Sequence, residues 1–142
     1  MTKHFVAKLK GSNELPPVKT KAYGVAELIF NDDFTKLHYR VILKNIEKVT
    51  SCQIHLGKEN QSGPVVLFLY GPVKHGISVN EGTITGMVST KDLEEGPLQG
   101  KTFENLVQAI DEANAYVNVH TRTCTRGEIR GEIKEYSRSM SR

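Results

Sequence analysis

Apolar and polar residues alternate with a period of two along most of the chain. They do so in short runs rich in β-branched and aromatic side chains, separated by Gly, Asn, Asp and Pro. This is the pattern of strands that turn one face toward a core. About eight strands are predicted, over residues 5–10, 22–30, 36–44, 49–56, 65–70, 82–89, 115–121 and 127–135. The Asn31-Asp32-Asp33 run between the second and third marks a hairpin, because Asn and Asp bond their own backbone and tolerate positive φ. One segment breaks the period: Phe103, Leu106, Val107 and Ile110 fall at i, i+3, i+4 and i+7, the spacing of an amphipathic helix. Thr102 marks its start, although Asn105 stands where Glu or Gln would complete a capping box. Many short strands with one helix inserted in a long connection imply an all-β Greek-key β-sandwich.

The length of 142 residues fits one domain, expected over residues 1–136 and followed by a flexible Ser- and Arg-rich tail over 137–142. The net charge of +3 is scattered instead of blocked, which argues against nucleic acid. The opening residues carry Lys3, Lys8 and Lys10 and contain no apolar run of signal-peptide length, and no stretch approaches a transmembrane span. As written the protein is expected in the cytoplasm without membrane association; a chain whose leader had been removed, and hence secreted, would read the same. Two cysteines, Cys52 and Cys124, are expected as free thiols.

Four short motifs stand in order along the chain. They are Gly11-Ser12-Asn13-Glu14-Leu15-Pro16-Pro17-Val18, Gln53-Ile54-His55-Leu56-Gly57 followed by Gly63-Pro64-Val65-Val66, Tyr116-Val117-Asn118-Val119-His120-Thr121, and Gly127-Glu128-Ile129-Arg130-Gly131-Glu132-Ile133. Together they resemble the chordin-domain (CHRD) family over roughly residues 5–134, in its stand-alone bacterial form. The resemblance implies a sandwich similar in architecture to copper/zinc superoxide dismutase, with no catalytic activity implied by that likeness. The chain departs from the family pattern at Gln53, where many members carry a second His, so any His-x-His chelate is broken here.

Strand parity then sorts the polar residues. Cys52, Ile54 and Leu56 share one face, leaving Gln53 and His55 on the other; Val117 and Val119 face inward, leaving Tyr116, Asn118 and His120; Ile129, Gly131 and Ile133 face inward, leaving Glu128, Arg130, Glu132 and Lys134. Glu14, His55, His120, Glu128 and Arg130 therefore form a candidate polar cluster, provided that the three strands are neighbours. The Glu14 turn and the helix-bearing loop are the segments expected to cover it.

Three functions follow from that cluster. The preferred one is a non-catalytic binding or structural module, with no cofactor and with an unidentified protein or small ligand as partner. An exposed edge strand offers a route to homo-oligomers. The alternative is a zinc or copper protein using His55 and His120, with Glu14 or Glu128 adding an oxygen. Two histidines without a His-x-His or Cys-x-x-Cys chelate are as well explained by hydrogen bonding. The third is thiol chemistry at Cys124, whose neighbours Arg122 and Arg126 would lower its pKa. No nucleophilic triad or phosphate loop is present in the sequence.

Overall fold

A computed structural model describes residues 3–137. Apart from Ser137, the expected tail lies outside the described residues. Seven strands form: β1 (His4–Lys10), β2 (Tyr23–Phe30), β3 (Lys36–Leu56), β4 (Val65–Tyr70), β5 (Ile77–Ser89), β6 (Ala115–Thr121) and β7 (Ile129–Glu135), with helix α1 (Phe103–Asp111) between β5 and β6. Antiparallel pairing runs β2-β1-β7-β6-β3 and closes from β3 back to β2, a ring of five strands. The two remaining strands add to β3: β5 along its first half and β4 along its second.

The predicted third and fourth strands are one. The reason lies at Asn45 and Lys48, which adopt φ of 52° and 55°. Such left-handed residues usually end a strand. Here β5 keeps pairing across them, Ile46 with Val79 and Val49 with Ile77, so the chain bends without separating. The bend also shifts parity. Leu37, Val41 and Leu43 face the core before it, Cys52 and Ile54 after it.

The inner faces of the ring enclose one apolar core that includes Phe5, Leu28, Phe30, Val41, Ile54, Val117 and Ile133. Helix α1 closes it, burying Phe103, Leu106, Val107 and Ile110 as the periodicity requires. Phe103 meets Phe30 edge-on at 5.4 Å between ring centroids. Asn105 completes the capping box despite its short side chain: its Oδ1 accepts the Thr102 N–H at 3.2 Å. At the β2–β3 hairpin, Asn31 Oδ1 accepts the N–H groups of Thr35 and Lys36, each at 2.9 Å. Among the described residues no helix is long and apolar enough to cross a membrane.

Candidate functional site

The second half of β3 pairs with β6, and β6 with β7, so the three motif-bearing strands are neighbours. Their outer faces align in rows. Gln53 lies opposite Asn118, Asn118 opposite Arg130 and Arg130 opposite Lys10; one row along, His55 lies opposite Tyr116 and Tyr116 opposite Glu132. This face is outward in parity yet not open to water: Gln53, Tyr116, Asn118 and Arg130 are all buried, and His55 and His120 half-buried. The cover comes from two loops, residues 11–21 and 57–64, which turns the outer face into a second, polar interior.

Arg130 holds the 57–64 loop. Its Nη2 donates to the carbonyl oxygens of Gln61 at 2.5 Å, Lys58 at 2.9 Å and Glu59 at 3.4 Å. Its guanidinium carbon lies 3.5 Å from the centroid of the Tyr116 ring. His55 stacks on Tyr116 at 4.9 Å and 9°, so Tyr116 is flanked by a cation–π contact and a ring stack. The same loop is tied at Gly63, whose N–H is accepted by Tyr116 Oη at 3.0 Å and whose carbonyl accepts from His55 Nδ1 at 2.8 Å. The carbonyls stabilise the buried charge through charge-assisted hydrogen bonds, and the charge in turn anchors the loop.

Those carbonyls also fix the tautomers. A carbonyl only accepts, so His55 carries its proton on Nδ1 and leaves a lone pair on Nε2. Asn118 Nδ2 donates to the Arg126 carbonyl at 3.3 Å and so also presents a donor to His120 Nε2 at 3.2 Å. His120 Nε2 must then accept, and it takes a second N–H from Gln53 Nε2 at 2.7 Å. Burial, with help from neighbouring His55, lowers the His120 pKa to about 4, and burial lowers that of His55 too, aided by Arg130 against the Gly63 bond. Both imidazoles are neutral at physiological pH.

Four buried atoms here have no hydrogen-bond partner among the described residues: Glu14 Oε2, Gln53 Oε1, His55 Nε2 and Asn118 Oδ1. All four bear lone pairs, so the cluster is short of donors. Glu14 is 5% exposed, and burial pushes its pKa up to about 7 against the opposing pull of Arg130. Protonated, it supplies the donor type that the cluster lacks. Gly127 makes room for it: with φ of 122°, a Cβ there would collide with Asn118 Oδ1 and stand 2.7 Å from Glu14 Oε2.

Three expectations meet a different outcome. Glu128 lies outside β7, which begins at Ile129, and its carboxylate turns to Thr20 Oγ1, donating at 2.6 Å, and Thr121 Oγ1, donating at 2.9 Å. It joins the 11–21 segment to β6 and makes no hydrogen bond with the histidines. The helix-bearing loop does not cover the cluster either, because α1 spends its apolar stripe on the core. The basic neighbours of Cys124 do not activate it. Arg122 and Arg126 are exposed, while burial and the nearby Glu128 raise the thiol pKa. Cys52, buried in the core, is pushed up to about 12, and both cysteines are free thiols.

Sequence reading placed Asn118 and Tyr116 on the right face without giving them roles. Thr121, Gly127, Gly57 and Gly63 stood in the motifs without roles, and Thr20 and residues 58–62 stood in none, since the parts of all of them depend on contacts with distant residues. Among the described residues, no three His, Cys, Asp or Glu side chains come together as a metal-ligand group.

Beside the cluster lies a groove of about 830 Å3. Strands β1 and β7 form its floor, through Val6, Lys8, Lys10, Arg130, Glu132 and Lys134. Ser12, Asn13 and Leu15 stand on one side and Gly57 to Asn60 on the other, so the two loops that bury the cluster are also the walls of the groove. Asn13 Nδ2 donates to the Arg130 carbonyl at 2.9 Å, fixing one wall to the floor.

Compared with known proteins, the family model described as CHRD domain matches residues 5–133. No curated protein and no solved structure matches the chain.

Proposed function

The chain belongs to the CHRD domain family, and on that premise we propose that it is a non-catalytic binding module whose polar cluster is the scaffold of a ligand groove. One observation carries this reading: Arg130, the charged centre of the cluster, is spent on three loop carbonyls and one ring instead of facing a substrate. His120 and Glu128 are likewise engaged with protein groups. What such a network does is hold two loops in one shape, and binding sites rest on that kind of rigidity. The test is amide hydrogen exchange in the parent and in Arg130→Lys, which keeps the charge and loses the forked geometry. Residues 57–64 are expected to be protected in the parent and released in the variant while the ring strands stay protected. Equal exchange in both proteins would remove the scaffold reading.

A zinc or copper site at His55 and His120 has one observation in its favour, the unpartnered, buried Nε2 of His55. Against it, His120 Nε2 already accepts two amide N–H groups. Elemental analysis of the parent and of a His55→Ala/His120→Ala double variant separates the cases, since stoichiometric metal lost in the variant is the result that only a metal site gives. A finer description of the fold, a flattened Greek-key sandwich of the dismutase type, is supported by the way β3 serves both halves of the ring.

A further inference from the structure

We infer that the groove binds small organic anions carrying two or more acidic groups, an assignment that rests on the binding-module reading and gives it a ligand class. Lys8 and Lys10 project from β1, Lys134 from β7 and Lys58 from the loop wall, with Arg130 beneath them. Arg130 is taken up by the loop carbonyls, so four lysines face Glu59 and Glu132 across the groove, a surplus of two positive charges in one concave site.

These lysines have no acidic partners. Outside the groove three cations are paired, Arg40 with Glu27, Lys44 with Glu81, and Lys3 with Asp32, while single exposed lysines such as Lys74 and Lys101 stand apart from one another in the sequence. In the groove none of the four lysines forms an ion pair among the described residues; the one polar contact is Lys58 Nζ on the Glu112 carbonyl at 3.1 Å. Like charges held together without partners cost stability, and a concave site between protein walls focuses their field on whatever enters. An anion relieves that repulsion.

The dimensions suit a small molecule. A volume of about 830 Å3 lies within the usual range for small-ligand sites. Lys8 and Lys10 are two residues apart on one strand face, so their backbones are separated by about 7 Å. Lys134, on the neighbouring strand β7, lies opposite Val6, one further step along β1 and one strand over. Acidic groups several bonds apart match that row better than one compact anion does.

The test uses citrate as probe, titrated calorimetrically into the parent in about 50 mM NaCl, where exposed charges are weakly screened. Saturable binding is expected. It should weaken roughly tenfold in Lys8→Gln/Lys10→Gln/Lys134→Gln and weaken again in the parent as salt rises to about 0.5 M. All three lysines are outside the buried cluster, so the variant retains the fold. A control variant, Lys36→Gln/Lys74→Gln/Lys91→Gln, removes the same charge from exposed positions elsewhere and should bind citrate as the parent does. Three results overturn the inference: no citrate binding by the parent, unchanged binding by the groove variant, or equal weakening in the control. The exchange comparison on Arg130→Lys does not depend on ligand charge, so a failure of the anion assignment leaves the scaffold reading standing, and the reverse also holds.

Discussion

The two halves of β3 carry the same alternation and meet opposite fates. In the first half, His38, Arg40, Ile42 and Lys44 point outward onto a face bordered by β2 and β5. His38 and Arg40 are exposed there, among uncovered apolar neighbours such as Ile29 and Met87. In the second half, Ser51, Gln53 and His55 also point outward, yet Ser51 and Gln53 are buried and His55 half-buried. The first half balances its charges with cross-strand pairs, Glu27 with Arg40 and Lys44 with Glu81. The second half balances almost nothing with water and relies on two loops. Alternation thus decides which face a side chain takes and leaves its solvation to whatever lies above. The difference predicts that one face tolerates substitution and the other does not.

The largest effect is expected at Arg130. Arg130→Ala removes the donor to three loop carbonyls and the partner of the buried Tyr116 ring at once. Urea unfolding should show a loss of about 3–5 kcal/mol, the range for breaking a buried charged network. A loss under about 1 kcal/mol would mean that water already solvates the loop, and the contrast between the two halves would collapse. Next comes Gly127. Gly127→Ala forces a Cβ at φ of 122° against Asn118 and Glu14, with an expected cost of about 2–4 kcal/mol. Gly100 is its control: φ is 73° there, but no atom lies within 4 Å of a Cβ, so Gly100→Ala should cost only the backbone strain, about 1 kcal/mol.

Glu14 sharpens the comparison through pH. Its folded pKa, raised to about 7, exceeds the unfolded value, so the unfolded chain releases this proton first. Stability from Glu14 is present below pH 4.5 and is lost as pH rises to about 7. His120 works in the other direction. Its folded pKa of about 4 lies below the unfolded value near 6.5, so its contribution is present above pH 6.5 and lost as pH falls toward 4. In the parent the two slopes oppose each other and the stability curve between pH 4.5 and 6.5 should be shallow. Glu14→Gln removes one of them. The variant should gain stability steadily from pH 4.5 to 6.5 and exceed the parent at pH 8 by roughly 2 kcal/mol. A variant curve parallel to that of the parent would show that Glu14 is solvated.

Much of the fold was legible because burying one face of a strand leaves a period of two. The hairpin at Asn31 and the helix from Phe103 were legible for equally local reasons, side-chain bonds within five residues and a 3.6-residue stripe. The union of two strands was hidden because Asn45 and Lys48 carry the chemistry of a turn, and only pairing with distant β5 keeps them in a strand. In the site, parity brought His55, His120 and Arg130 to one face correctly. It misplaced Glu128 because Gly127, at φ of 122°, breaks the extended backbone just before β7 begins. Burial of the cluster was invisible for a different reason. The 57–64 loop has no hydrophobic signature, and backbone carbonyls, which every residue possesses, are what Arg130 grips.

The smallest expected effect lies on the open face. Arg40 is exposed and donates to Glu27 Oε1 at 2.7 Å, the same carboxylate that His4 Nε2 meets at 3.2 Å. An exposed pair of this kind gains little, because water already solvates both charges and ordering two long side chains costs entropy. Arg40→Ala should therefore change stability by no more than about 0.5 kcal/mol, less in high salt, although its bond to a carboxylate is as short as many in the cluster. Arg40 and Arg130 differ in what depends on them: Glu27 keeps water and His4 when Arg40 leaves, whereas the carbonyls of Lys58, Glu59 and Gln61 and the Tyr116 ring lose one shared charged partner when Arg130 leaves. If Arg40→Ala proved as costly as Arg130→Ala, the open face would have to be covered in solution, and light scattering on the parent would be expected to show β5 or the β2–β3 surface joined to a second copy.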